Sequence, residues 1–229
     1  MAFQETIINM PFDKWIEYMI ASSKAAFEAD AIPSEIWWDE ERHPEIAITH
    51  LTHFFENIND ITPLMSNEEY AQLLKYIIDL SFSGYTFVLM NLDNGIPVEA
   101  RIHCIKSIYF VFDKLFKKRC PLEPFLGHIS QKDPLDTVCF MWWDVIGIAG
   151  HPREDKYAYI DRTILEVIEN ILRLDSEACR ESALHGLNEW CSFYPKAVKE
   201  IIHRFLNANS KINPQLAAYA LKAQGGALP

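Results

Sequence analysis

Two Glu-x-x-His pairs have the spacing that holds iron in carboxylate-bridged helical bundles: Glu40 with His43, and Glu200 with His203. Such a bundle also needs two further glutamates on long inward-facing helices, and the sequence shows no such pattern. His43 directly precedes Pro44, which places it outside a helix, and Glu200 lies on a polar flank. We therefore predict no metal site at either pair.

His50, His53 and Glu56 follow one another at i, i+3 and i+6, so two histidines could bind zinc from one helix face. Two ligands do not complete a zinc site, however, because such a site takes three or four. We expect both histidines to be solvated or to lie at the edge of the core.

A connection with titratable residues follows Gly150: His151 is close in sequence to Glu154 and Asp155. An imidazole beside carboxylates could act in acid–base catalysis. No nucleophile elbow, phosphate-binding loop or dinucleotide fingerprint accompanies it. We predict a solvated helix–helix connection here.

Two Trp-Trp-Asp triplets are the most unusual feature of the sequence. The first, at residues 37–39, continues into Glu40 and Glu41 in a loop, where tandem tryptophans cannot both face inward. An exposed indole beside carboxylates suits an interface for a basic protein. A loop that packs over the core is an equally good interpretation. The second triplet, at residues 142–144, lies in a helical segment, and we expect at least one of its tryptophans in the core.

Arg180 and His185 lie in one helical segment, where the arginine could pair with Asp175 or with Asp144. We favour an ion pair that ties adjacent helices over a ligand-binding role. No residue is predicted to be catalytic, to bind a metal or to hold a cofactor. The candidate binding residues are Trp37, Trp38, Asp39, Glu40, Glu41, Asp144, Arg180 and His185.

Composition limits the classes of function. The chain has 229 residues, 49% of them hydrophobic, and a formal net charge of −11. The apolar fraction excludes wholesale disorder, and the acid excess opposes binding to nucleic acid, whose phosphates need cationic partners. Five cysteines without a C-x-x-C pair, no signal-peptide pattern and no stretch of about 18 apolar residues predict a cytoplasmic protein without a membrane partner.

Hydrophobic residues recur with helical periodicity along nearly the whole chain, and no period-two run is long enough to predict a strand. Ser66 and Glu69 form a capping box, while Asp133 and Asn213 each stand before a proline at a helix start. We predict helices at residues 12–29, 44–58, 67–91, 97–118, 134–147, 155–173, 176–193, 195–207 and 214–223.

An internal similarity relates residues 100–108 to residues 179–187, which align without gaps on a template of small, basic and aliphatic positions. The corresponding residues Arg101 and Arg180 are 79 positions apart. That separation is close to two units of about 40 residues, the period of HEAT and armadillo arrays.

The segment around Arg180 resembles the second helix of HEAT-like repeats, which carries an Asp at the turn, an Arg five residues later, and then small and aliphatic positions. Asp175, Ala183, Leu184 and Leu187 complete that pattern. The resemblance, best over residues 155–207, implies an all-α fold: a HEAT-like α-solenoid of stacked antiparallel helix pairs with about nine helices. Residues 1–229 would form a single helical-repeat domain with a concave face suited to gripping a macromolecule.

Residues 175–195, with residues 11–19 and 141–144, also resemble a family of short uncharacterised bacterial proteins. This resemblance implies a bacterial origin and brings no known activity with it.

Three hypotheses for function follow. The first is a non-catalytic protein-binding module with an acidic helical-repeat surface for a basic partner, such as an immunity-type inhibitor or an adaptor. The second is a hydrolase-type enzyme with a His/Glu/Asp cleft between helices, drawing on His151, Glu154 and His185. The third is a structural subunit that forms a homodimer. We favour the first, because catalytic motifs are missing.

Overall fold

A computed structural model describes residues 9–28, 38–120, 133–209, 212–226 and 228. These residues form helices and connections, with no β-strand among them, so the all-α prediction is confirmed for the part of the chain that is described. The helices are α1 (Phe12–Phe27), α2 (Pro44–Glu56), α3 (Ile58–Ile61), α4 (Asn67–Ile78), α5 (Tyr85–Met90), α6 (Val98–Phe110), α7 (Lys117–Arg119), α8 (Pro134–Phe140), α9 (Trp142–Val145), α10 (Ala158–Leu172), α11 (Glu177–Cys191), α12 (Pro195–Ala208) and α13 (Pro214–Ala223).

The predicted capping signals are present at three helix starts. Ser66 and Glu69 form the reciprocal capping box of α4. Asp133 and Asn213 accept hydrogen bonds from the first turns of α8 and α13, each of which begins with proline. These side chains satisfy backbone N–H groups that have no partner within the helix.

The helical segments exceed the predicted nine because several predicted helices are interrupted. The helix predicted at 67–91 stops at Asp79, whose Oδ1 accepts the N–H of Ser81, while the Ser83 hydroxyl donates to carbonyls at the end of α4. Such side-chain bonds compete with the helical ladder. A π-helical segment, Val111–Phe116, joins α6 to α7, and Met141 separates α8 from α9.

The longer helices fall into two sets by their contacts. In the first set, α1 packs on α4, α4 on α8, α8 on α11, and α11 on α13; in the second, α2 packs on α6, α6 on α10, and α10 on α12. The two sets also contact each other, because α11 packs on both α10 and α12. Helices of the two sets alternate along the chain, with α5 packed between α2 and α4. The predicted repeat segments lie in different sets, because residues 100–108 belong to α6 and residues 179–187 to α11.

The apolar stripes of both sets meet in one hydrophobic cluster that extends from Met10 to Ala223. Trp15, Trp38, Trp142 and Trp190 are among its largest buried side chains. Among the described residues, no helix combines the length and the apolar character needed to cross a membrane.

Candidate functional site

The tryptophan loop is anchored in the core. Trp38 is only 2% exposed, and its ring centroid lies 6.0 Å from that of His43 and 6.4 Å from that of Tyr85. For Trp38, therefore, the structure agrees with a loop that packs over the core and not with an exposed indole. Trp37 lies outside the described residues.

The three acids after Trp38 have different surroundings. Asp39 Oδ1 accepts the backbone N–H groups of Glu41 and Arg42, which fixes the turn. Glu40 accepts the N–H of Gly84, and burial raises the pKa of its carboxyl above the ordinary value. Glu41 is exposed. Glu40 thus ties the loop to the residue before α5 through its hydrogen bond with Gly84, whereas Glu41 is exposed to solvent.

The second Trp-Trp-Asp triplet forms α9. Trp142 and Trp143 are 0% and 3% exposed, which confirms the prediction of a core position for this segment. The short helix packs against α11, and Trp143 faces Gly186. This packing brings Asp144, the third residue of the triplet, beside α11.

Asp144 contacts His185, not Arg180. Its Oδ2 lies 2.9 Å from Nε2 of His185, and the other ring nitrogen of His185, Nδ1, lies 3.1 Å from the Tyr219 hydroxyl. His185 is 4% exposed, whereas the Asp144 side chain is 25% exposed. The imidazole is thus held between an acid of α9 and a phenol of α13.

A second carboxylate approaches the same imidazole. Glu189, one turn after His185 in α11 and exposed to solvent, has a carboxylate oxygen within 4.8 Å of ligand atoms of both Asp144 and His185. Burial, followed by the charges of Glu181 and Asp144, raises the pKa of the Tyr219 hydroxyl, so this hydroxyl stays protonated. Within the described part of the chain, Asp144, His185 and Glu189 form the group that could hold a metal ion.

Arg180 contacts the end of the preceding helix. Its Nε donates to the carbonyl of Leu172 at 3.4 Å, and its NH2 group lies 3.8 Å from Asp175, the pairing predicted within its own turn. Arg101 acts similarly on α5: it donates to the carbonyls of Val88, Leu89 and Asn91. The two aligned arginines therefore share a local role at helix C-termini, although their helices belong to different sets.

The other His and Glu residues with metal-ligand spacing have separate partners. His50 contacts the carbonyl of Met10, His53 contacts Asn57, and Glu56 contacts His103 at 2.7 Å. The His43 ring stacks on Trp38, so it is not aimed at a shared site with Glu40.

The connection is exposed over residues 152–156, as predicted, whereas His151 at its start is partly packed. The His151 side chain is 27% exposed and its ring stacks on Tyr157 at 4.0 Å. The backbone N–H of His151 donates to Asp161, a buried carboxylate that also accepts a hydrogen bond from the Tyr194 hydroxyl at 2.6 Å. His151 and His185 thus contact different residues, and the predicted cleft that would combine them is not formed by these contacts.

A groove of about 360 Å³ lies between α10 and α12. Its lining has four acids and two bases, including the Glu169–Arg204 pair, and the apolar residues Leu165 and Ile201. Neither Asp144 nor His185 lines it. The imidazole–carboxylate cluster and this groove are therefore distinct features.

Sequence reasoning missed Glu189 and Tyr219. The i, i+4 spacing of His185 and Glu189 in one predicted helix was a readable signal for a shared face. Nothing in the sequence pattern indicates that α13 would bring Tyr219 to the same imidazole.

Comparison of the chain with known protein families, with curated proteins and with solved structures found no match. The resemblance to HEAT-like repeats and to short bacterial proteins therefore stays a prediction.

Proposed function

We propose that this protein is a non-catalytic protein-binding module that receives a basic partner on an acidic surface. The observation that carries the proposal is the distribution of charge. Residues 28–43, which connect α1 to α2, contain six Asp and Glu residues and a single basic residue among Lys and Arg, Arg42, which pairs with Asp39; the net charge of the chain is −11. A local excess of this size steers and holds a cationic partner.

The anchoring of this acidic segment supports a role in recognition. Trp38 is buried and Glu40 is bonded to Gly84, so the C-terminal end of the segment is fixed on the core. Glu41 is exposed beside them. A pre-positioned charge loses less conformational entropy on binding than a charge on a free chain.

We also propose that the helices form a HEAT-like solenoid, and the order in which they pack supports this. Two alternating sets, each packed in order along the chain, are what stacked helix pairs produce. In such a stack each pair presents residues to a common surface, which suits a macromolecular partner better than a small substrate. An immunity-type inhibitor of a basic toxin and an adaptor both belong to this class.

Charge-neutralising variants test the proposal. Glu28→Gln/Glu41→Gln removes two exposed acids of the acidic segment, and Glu99→Gln/Glu200→Gln removes two exposed acids from α6 and α12, which gives the same net charge. Each protein is used to capture partners from the native cell, and the dissociation constant of each purified partner is then measured at several salt concentrations.

The proposal expects a basic partner whose affinity falls by about tenfold or more in Glu28→Gln/Glu41→Gln, and which is retained by the control variant. Affinity should also fall as salt rises, because exposed charges are screened. Equal affinity of both variants for every captured protein would contradict the proposal. Self-association detected by sedimentation in place of a partner would favour the homodimer hypothesis.

A second candidate function, a hydrolase-type enzyme, is favoured by the convergence of one imidazole and two carboxylates at Asp144, His185 and Glu189. Such a set can act as general acid and base. The test is hydrolysis of a panel of ester, phosphoester and peptide substrates by the wild type and by Glu189→Gln. Activity in the wild type that Glu189→Gln abolishes would favour the enzyme over the module.

A further inference from the structure

We infer that Asp144, His185 and Glu189 bind one divalent transition-metal ion between α9 and α11, with Zn²⁺ as the ion to be tried. The inference goes beyond the binding-module proposal and does not depend on it. It rests on the geometry of these three side chains and of Tyr219 beside them.

The separations fit a metal site. The three ligand atoms lie within 4.8 Å of one another. In a tetrahedral zinc site with bonds of about 2.1 Å, ligand atoms are about 3.4 Å apart. Nε2 of His185 and Oδ2 of Asp144 lie 2.9 Å apart. Glu189 must therefore move its carboxylate closer to these two atoms, and its side chain is exposed and able to rotate.

Asp144 and His185 are close enough for a hydrogen bond, but the angle between them does not allow one. Oδ2 of Asp144 is buried and accepts no hydrogen bond, although Nε2 of His185 is 2.9 Å away. A buried carboxylate oxygen without a donor is costly. A metal ion bound to both Oδ2 and Nε2 would satisfy this acceptor.

Tyr219 supplies the support that a ligating histidine needs. A histidine that binds a metal through Nε2 usually has Nδ1 held by a hydrogen bond, which fixes the tautomer and the orientation of the ring. The Tyr219 hydroxyl lies 3.1 Å from Nδ1 of His185. When Nδ1 donates to this hydroxyl, the lone pair of Nε2 is left for the metal.

The local charge favours a cation with two positive charges. Asp144 and Glu189 provide two carboxylates. A neutral imidazole with two carboxylates suits ions that accept both nitrogen and oxygen ligands, such as Zn²⁺. Glu189 at the surface gives the ion a path of entry, and water would complete the coordination.

The experiment is isothermal titration of the chelator-treated full chain with Zn²⁺, for the wild type, Glu189→Gln and Glu200→Gln. Glu200→Gln is the matched control, because it removes an exposed helical glutamate remote from His185 in sequence. We expect one Zn²⁺ per wild-type chain, affinity lowered about tenfold or more in Glu189→Gln, and unchanged affinity in Glu200→Gln. Tyr219→Phe should weaken binding about tenfold, because the ring of His185 loses its support.

Several outcomes would overturn the inference. They are a wild-type chain that binds no Zn²⁺, equal affinity in the wild type and Glu189→Gln, and an equal loss in both glutamate variants. The buried thiols of Cys120 and Cys179 both lie beside that of Cys139. Zn²⁺ bound by these thiols would give the second outcome, and a thiolate charge-transfer band after Co²⁺ substitution would identify it. Melting temperature provides an independent readout, since Zn²⁺ should raise it in the wild type and not in Glu189→Gln.

Discussion

Gly186 of α11 lies directly against the indole of Trp143. A Cβ added at Gly186 would be 2.5 Å from Cγ and 3.1 Å from Cβ of Trp143, both closer than ordinary carbon contacts. The atoms approached belong to the root of the tryptophan side chain, so they cannot move without shifting α9. The absence of a side chain at 186 therefore sets the distance between α9 and α11, and with it the contact of Asp144 with His185.

Gly186→Ala is expected to lower the free energy of unfolding by about 1–3 kcal/mol, because the strain of overpacking exceeds the helix propensity gained. Gly225→Ala is the control, since a Cβ there would meet only the Lys222 carbonyl oxygen at 3.5 Å. Urea unfolding followed by circular dichroism measures both variants. A Gly186→Ala protein as stable as the wild type would show that α9 can move freely away from α11.

Arg101 and Arg180 are predicted to differ in their contribution to stability despite their similar sequence surroundings. Arg101 is 1% exposed and bonds to three carbonyls after or within α5 and to Asn94. Arg101→Met would deprive the carbonyls of Leu89 and Asn91 of their side-chain donor, at a cost of about 3 kcal/mol, whereas the Val88 carbonyl keeps the hydrogen bond from Asn94. Arg180→Met loses one long hydrogen bond and a pair with exposed Asp175, at less than about 1 kcal/mol.

The same urea measurement distinguishes the two arginine variants. Equal losses of unfolding free energy in Arg101→Met and Arg180→Met would mean that the aligned residues act alike. The larger loss in Arg180→Met would contradict the prediction.

Glu169 and Glu40 should give opposite dependences of stability on pH. Hydrogen bonds from Arg204, together with its charge and that of Arg173, lower the pKa of Glu169, whereas burial raises the pKa of Glu40. A lowered folded-state pKa stabilises the protein above the unfolded pKa of about 4.3, and this stabilisation is lost as pH falls through the folded value. A raised pKa destabilises the protein once pH exceeds about 4.3.

Glu169→Gln should therefore be less stable than the wild type at pH 7, with the difference vanishing at low pH. Glu40→Gln keeps an oxygen to accept the Gly84 N–H and should be more stable than the wild type at pH 7, with no difference below about pH 4. Thermal unfolding from pH 3 to pH 8 tests both signs at once. A Glu40→Gln protein that is less stable at pH 7 would show that the charged carboxylate is needed for the hydrogen bond with Gly84.

The helices could be predicted from the sequence because the apolar residues that each one buries recur with the helical period. Val198, Ile201, Ile202 and Phe205 of α12 show this, since all four are buried as their spacing predicts. The break after α4 was missed because Asp79, Ser81 and Ser83 interrupt an apolar stretch without changing its period. Their side-chain bonds to the backbone end the helix there.

The candidate site could be predicted only in part, for a physical reason. The sequence indicates both Asp144 and His185 as binding residues, but it predicts Arg180, not His185, as a possible partner of Asp144. Their pairing depends on the distance between α9 and α11, which Gly186 sets, and no pattern of residue types along one helix encodes that distance. Tyr219 joins the site through the packing of α13 on α11, which periodicity does not specify either.

Two buried tryptophans, Trp15 and Trp38, differ in the hydrogen bonding of their indole N–H groups. Trp15 Nε1 donates to the Tyr85 hydroxyl at 2.6 Å, whereas Trp38 Nε1 is buried without an acceptor. Replacing either residue by Phe removes a similar volume and leaves a similar cavity. Trp15→Phe also deprives Tyr85 of a donor, while Trp38→Phe removes an unsatisfied N–H group, so Trp15→Phe should cost about 1 kcal/mol more in unfolding free energy. Urea unfolding of the two variants measures the difference directly, and a greater loss in Trp38→Phe would mean that its indole nitrogen has an acceptor in solution.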